Sequence, residues 1–137
     1  MNESVQNSIG FRIARTANKI NQTITSLLSE DGIAIEQRIL LEILSSCDQA
    51  NQTTLATILN KSATTISRTL DSLEKKGFIV KKSIKGDKRV NVIEVSSHGK
   101  AILKSTEDKV IAFRNTIAQK LTLEEKELLF SLLDKLS

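Results

Sequence analysis

The sequence from residue 55 to residue 95 decides the fold: LATILNKSATTISRTLDSLEKKGFIVKKSIKGDKRVNVIEV. Its first part spaces apolar residues three and four apart, as one face of a helix requires, with a polar break around Asn60. Its second part is rich in β-branched residues and is interrupted by a basic turn at residues 85–89. This change in the spacing of apolar residues predicts two short helices joined by a tight turn and followed by a β-hairpin. That is the order of elements in a winged helix-turn-helix.

Local signals set the bounds of the two short helices. We expect Thr53 or Thr54 to cap the first helix through a side-chain oxygen. Asn60 is expected to close it, because Asn adopts the left-handed conformation more readily than most residues other than glycine. Ser62 is expected to cap the second helix, over residues 63–76.

Apolar stripes on both sides of this unit predict further helices. They are expected over residues 8–29 and 35–47, from a cap at Ser96 or Ser97 onward, and after a capping box at Thr122 and Glu125. We therefore predict a mainly α fold with a small β-hairpin wing. A winged helix-turn-helix over residues 35–97 would lie between dimerisation helices in residues 1–34 and 98–137.

The flanking stripes exceed what one small core can cover. We expect a two-fold homodimer to bury them, since it would also hold two recognition helices about one turn of duplex DNA apart. A monomeric helical bundle with the same stripes is the alternative.

The positive charge is concentrated in one segment. The chain has a formal net charge of +4, but residues 61–100 alone hold ten Lys or Arg and four Asp or Glu. That segment carries +6 and the rest of the chain −2, as expected of a phosphate-binding face. A solvated basic surface that keeps the protein soluble is the alternative.

The second helix and the hairpin turn hold the candidate contact residues. With the apolar positions of the helix facing the core, hydroxyl side chains and Arg68 lie where a helix in the major groove meets base edges. Arg68 suits a bidentate contact with guanine or phosphate, and Asp87 is expected to pair with Arg89 and orient it. A solvated helix face and an ordinary hairpin turn are the alternatives. The proposed contacts are Ser62, Thr64, Thr65, Ser67, Arg68 and Thr69 in the helix, and Lys85, Lys88 and Arg89 in the wing.

Two groups of residues resemble the MarR family of transcription regulators, and the resemblance extends over nearly the whole chain. LATIL at residues 55–59 and TTISRTLDSLEKKGFI at residues 64–79 are similar to that family's recognition unit. Asp87-Lys88-Arg89, followed by Val95-Ser96 and Gly99, resembles its wing signature. Ala34, where the family often has a Ser or Thr cap, and Asn60, in place of a common Gly, depart from the pattern.

The resemblance implies an obligate homodimer with interleaved N- and C-terminal helices that binds an inverted-repeat operator in double-stranded DNA. It also implies modulation by a small-molecule effector or by oxidation, although no polar constellation in the sequence identifies an effector. Thiol sensors of that family carry the reactive cysteine in the first helix. Cys47 lies near the end of the second helix instead, so we expect it to be a buried structural thiol.

Other functions find little support in the sequence. The chain has one His, one Cys and no glycine-rich phosphate loop. It therefore shows neither a nucleophile with its base nor a nucleotide site, so we expect no enzyme activity and no cofactor. His98 has no second His or Cys nearby, so we expect a surface side chain and no metal site. Without a long apolar run or a signal peptide, a cytoplasmic protein is expected. A winged helix that binds RNA or protein is the remaining alternative, although RNA readers usually offer aromatic stacking surfaces.

Overall fold

The computed structural model describes the backbone of residues 2–47, 50–84 and 87–137, and the side chains of these residues apart from 84–91. Helices make up most of these ranges, together with one antiparallel hairpin, which confirms the predicted mainly α fold with a small β wing. The elements are α1 (Glu3–Gln6), α2 (Ile9–Leu27), a 3-10 turn (Ser29–Asp31), α3 (Ile35–Ser46), α4 (Gln52–Leu59), α5 (Ala63–Lys75), β1 (Ile79–Ile84), β2 (Asp87–Val95), α6 (Ser97–Ala118) and α7 (Leu123–Leu136).

The helix-turn-helix is formed by α4 and α5. Its first cap differs from the prediction, because the Asn51 side chain, and not Thr53 or Thr54, accepts a hydrogen bond of 2.9 Å from the Thr54 amide and caps α4. Asn is among the strongest N-cap residues, and its use here lets the helix begin at Gln52. Asn60 ends α4 in the left-handed conformation, with φ 51°, as predicted.

The recognition helix α5 begins as expected. The Ser62 hydroxyl accepts a hydrogen bond of 3.1 Å from the Thr65 amide, and Gly77 follows the helix with φ 80°. Ile66, Leu70 and Leu73 are buried, so the inner face of α5 is the predicted one.

The hairpin is longer on its second strand than the sequence indicated. Ile79 pairs with Val95 at its base, and Ile84 pairs with Asp87 at its far end, with an irregular register between Ser83 and Ile84. β2 thus begins at Asp87, whereas residue 90 was predicted. Strand pairing, which the local sequence does not reveal, extends β2 into the expected turn.

Residues 1–106 form one compact unit and residues 107–137 form a second. The first unit contains the helix-turn-helix and the hairpin, which we call the reader. The core of this unit joins apolar side chains from α2, α3, α4, α5 and the hairpin. The most deeply buried include Ile24, Leu28, Leu41, Leu55, Leu73 and Ile79. The second unit contains α7, which the Thr122 and Glu125 capping box opens as predicted. Among the described residues, no helix combines the length and apolar content needed to cross a membrane.

Candidate nucleic-acid interface

The outer side of α5 is the candidate surface, because its opposite side is buried in the core. The structure leaves Ser62, Thr64, Thr65 and Arg68 exposed, and Ser67 and Thr69 half-buried. All six predicted residues are therefore at least partly accessible, on the cap of α5 or within its first two turns.

Three of these six residues also take part in the local structure. Ser62 caps α5, and its hydroxyl donates a hydrogen bond of 2.9 Å to the Thr65 hydroxyl. The Thr69 hydroxyl donates to the Thr65 carbonyl at 3.0 Å. Substituting any of them would change the helix start or its backbone as well as a contact surface.

Thr64 and Arg68 differ from those three residues. They lie four residues apart, so they share one face of the helix. Both are exposed, and neither side chain makes a hydrogen bond or an ion pair with another residue in the described part of the chain. This pair is therefore the portion of the surface most available to an external partner.

The predicted wing contacts lie largely outside the described residues. Lys85 is outside them altogether, and Asp87, Lys88 and Arg89 contribute only their backbone, as the first residues of β2. The expected pairing of Asp87 with Arg89 stays a prediction.

Internal ion pairs use part of the positive charge of residues 61–100. Lys81 of β1 donates a hydrogen bond of 2.8 Å to Asp71 and lies 3.6 Å from Glu74, both on α5. The hydrogen bond to Asp71 raises the pKa of Lys81 above its ordinary value, although partial burial opposes that shift. Lys82 pairs with Glu94 across the hairpin at 2.9 Å. These lysines stabilise the reader, which the charge count alone could not indicate.

His98 and Cys47, the one histidine and the one cysteine of the chain, are the other side chains considered for chemistry. His98 is exposed, as predicted, and its ring lies 4.9 Å from that of Phe78. Cys47 is a free thiol just after α3, but it is half-buried where full burial was expected. The end of a helix at the edge of the core explains that exposure. In the described ranges, His, Cys, Asp and Glu form no group of three that could hold a metal ion.

Apolar side chains are exposed on the N- and C-terminal helices. On α7 the exposed fraction is 71% at Leu123, 59% at Leu128 and 54% at Phe130. On α2 it reaches 60% at Ile9. A group of large apolar side chains that are about half exposed or more is a candidate protein interface.

The comparisons with known proteins agree with this geometry. A model of the MarR family matches residues 34–90, from the cap of α3 into the hairpin. A DNA complex of MepR from S. aureus has a TM-score of 0.86 and 22% identity, covering 94% of this chain and 96% of that one. A MarR/EmrR family transcriptional regulator from Acinetobacter sp. ADP1 has a TM-score of 0.82 and 26% identity, covering 91% and 89%.

A curated relative is the uncharacterized HTH-type transcriptional regulator YdgJ of Bacillus subtilis (strain 168). It is 24% identical over 105 residues, which are 77% of this chain. The match spans 64% of the length of that relative.

Proposed function

We propose that this chain is a sequence-specific, double-stranded DNA-binding transcription regulator of the MarR family and of the repressor type, since a model of that family matches its residues 34–90. The observation that carries the proposal is the division of α5. One side is buried through Ile66, Leu70 and Leu73. On the other side the side chains of Thr64 and Arg68 are exposed and have no hydrogen-bond or ion-pair partner among the described residues. A helix held in this way can enter the major groove and present short side chains and one arginine to base edges.

The six helix residues would contribute to DNA contact to different degrees. Thr64 and Arg68 would contact bases or phosphates directly, whereas Ser62, Thr65 and Thr69 would combine a contact with the hydrogen bonds that shape α5. Ser67, which is half-buried, would lie at the margin of the contact. The wing residues Lys85, Lys88 and Arg89 would add contacts to the phosphate backbone or the minor groove.

We propose that the regulator acts as a homodimer on an inverted repeat. The exposed apolar residues of α2 and α7 support this, since a second copy of the chain would remove them from water. A two-fold dimer also presents two recognition helices to two half-sites.

The proposal includes regulation by a small molecule and a location in the cell. A small molecule bound by the dimer would act as effector by favouring one spacing of the recognition helices over another. We propose no catalytic step and a cytoplasmic location, where duplex DNA is the partner.

The salt dependence of duplex affinity tests the proposal. A labelled random-sequence duplex of about 30 base pairs would be titrated with the full chain at several salt concentrations between about 50 and 200 mM, and single-stranded RNA of the same length would be titrated as the control. Neutralised phosphates release counterions, so we expect the logarithm of duplex affinity to fall linearly with the logarithm of salt, with much weaker binding to the RNA. Salt-insensitive binding, or a preference for the RNA, would refute the proposal.

A further inference from the structure

The C-terminal end of the recognition helix is held by a small hydrogen-bonded cluster. Lys76 directly follows α5, and its ammonium group donates to the Gly32 carbonyl at 3.0 Å and to Gln37 Oε1 at 2.9 Å. The Gln37 amide nitrogen in turn donates to the Ser72 hydroxyl at 3.0 Å, on the last turn of α5. We call Gly32, Gln37, Ser72 and Lys76 the α5 anchor.

The α5 anchor joins α5 to the junction between α2 and α3. Gly32 closes the 3-10 turn after α2 in the left-handed conformation, with φ 70°, and Gln37 lies in the first turn of α3. Gln37 Oε1 also accepts a hydrogen bond of 3.2 Å from the Ala34 amide. Gln37 thereby satisfies the amide of the residue that precedes α3, one of the donors that have no partner inside the helix. Its side chain therefore serves both helices at once.

Lys75 provides a natural contrast. It has the same charge, lies next to Lys76 and is exposed as Lys76 is, but its side chain makes no hydrogen bond or ion pair with another residue that the structure describes. Lys76 directs its ammonium group to two acceptors from a different part of the chain. The two lysines thus have different roles despite an identical contribution to the charge count.

We propose that Lys76 is a positioning residue for the recognition helix and does not contact a phosphate. With Gln37 it fixes the angle and depth of α5 relative to the α2–α3 junction, and so decides whether the exposed Thr64 and Arg68 side chains meet base edges in register. The proposal rests on the proposed function, since it concerns the same DNA-reading helix.

The test compares Lys76→Met with the matched control Lys75→Met. Both variants remove one positive charge and keep an unbranched apolar stem. Affinities would be measured for the duplex recovered by selection from random sequences and for a scrambled duplex of equal length and composition, over a series of salt concentrations. Thermal unfolding at a fixed protein concentration would be recorded for each variant.

If Lys76 positions α5, its loss should change the preference for the selected over the scrambled duplex and leave the salt dependence of binding unchanged. We expect Lys76→Met to reduce the preference for the selected duplex about three- to ten-fold, the effect of losing one or two hydrogen bonds, with an unchanged salt slope. Lys75→Met should keep the preference of the wild type. If Lys76 contacts a phosphate, both duplexes lose affinity equally and the salt slope falls by about 0.9. That result would overturn the proposal, as would a lower unfolding temperature with an unchanged preference.

A second variant separates the α5 anchor from the charge. Gln37→Met removes one of the two acceptors of Lys76, together with the hydrogen bonds of Gln37 to Ser72 and Ala34, without changing the charge of the chain. It should therefore reduce the preference for the selected duplex as well. In the double variant Gln37→Met/Lys76→Met the two losses should be less than additive, because both act on one cluster. Full additivity would contradict the α5 anchor.

The outcome also separates this proposal from the proposed function. A wild-type chain without any preference for the selected duplex would refute the proposed function, and the role of Lys76 with it. A wild-type preference that Lys76→Met retains would refute the role of Lys76 alone.

Discussion

Arg38 Nε donates a hydrogen bond of 2.7 Å to the hydroxyl of Thr106, 68 residues away along the chain. Both residues are buried, with exposed fractions of 4% and 0%. The same guanidinium donates to the Leu103 carbonyl at 2.9 Å and pairs with Glu42 one turn along α3. A buried charge is stable only when it is paired and hydrogen-bonded, so this cluster holds α6, at Leu103 and Thr106, against α3.

Replacement of the Thr106 hydroxyl should destabilise the fold. Thr106→Val keeps the shape but leaves a buried Arg38 donor without its acceptor, which we expect to lower the free energy of unfolding by about 1–3 kcal/mol. Chemical denaturation at a fixed protein concentration measures the change. Thr106→Ser keeps the hydroxyl and should lose less; an equal loss in both variants would show that the hydrogen bond is not the cause.

The Arg38 cluster also illustrates what the sequence does not reveal. The sequence predicts a helix from Ser96 or Ser97 onward, but nothing in its local pattern indicates that an arginine on another helix is buried against Thr106. The local sequence likewise does not reveal the ion pair between Lys81 and Asp71. Both depend on which elements the tertiary fold brings together.

Gly99 should not tolerate a side chain. It lies near the start of α6, where an added Cβ would overlap the carbonyl oxygen of Phe78 and come within 2.7 Å of a methyl group of Val95. The Phe78 carbonyl is backbone and already accepts a hydrogen bond of 3.0 Å from the Ser96 amide, so it cannot move away cheaply. We expect Gly99→Ala to lower the free energy of unfolding by about 1–3 kcal/mol or more.

Gly10→Ala is the matched control for that substitution. A Cβ at Gly10 would meet only the Ser8 hydroxyl, at 3.9 Å, and the residue lies within α2. Because Ala favours helix over Gly, the expected change is a gain of up to about 1 kcal/mol. Equal losses at the two glycines in thermal unfolding would contradict the packing argument at Gly99.

A charge on the apolar face of α7 should break the proposed dimer. Leu128 has an exposed fraction of 59% in the single chain, so Leu128→Glu costs little within one subunit but would place an unpaired carboxylate in a dimer interface. We expect sedimentation to show monomers and the affinity for a two-half-site duplex to fall. Ser131→Glu adds the same charge at an exposed polar position of the same helix and should stay dimeric. A dimeric Leu128→Glu would exclude this face from the interface.

The helix and the wing should affect DNA binding in different ways. Arg68→Ala removes a candidate base contact and should reduce discrimination against a wrong base by about 1–3 kcal/mol, which competition between duplexes measures. Arg89→Ala should weaken binding to all duplexes and lower the salt slope. An intact operator preference in Arg68→Ala would remove that residue from the recognition set, and an unchanged affinity in Arg89→Ala would refute the wing contact.

The sequence predicted the elements of the reader well because their signals are local. Ser62 and Asn60 have the expected cap and left-handed conformations, and the apolar period of α5 identified its buried face. The cap of α4 was wrong because several polar residues compete there, and the strongest capping residue, Asn51, precedes the two that were considered. The start of β2 was also wrong, since pairing with β1 determines it.

The candidate site was predictable as a surface but not as a set of roles. Spacing alone placed Thr64 and Arg68 on the outer side of α5. It could not distinguish Lys75, which is exposed without a partner in the described ranges, from Lys76, which anchors the helix to Gln37. That distinction depends on a contact between residues 39 positions apart.

Selection of bound sequences from a pool of random duplexes, with the full wild-type chain, tests the central claim most directly. A homodimeric winged helix-turn-helix should enrich an inverted repeat whose half-site centres are separated by about one helical turn, roughly 10 base pairs. Recovery of no common sequence, or of a single half-site without a symmetric mate, would contradict the account.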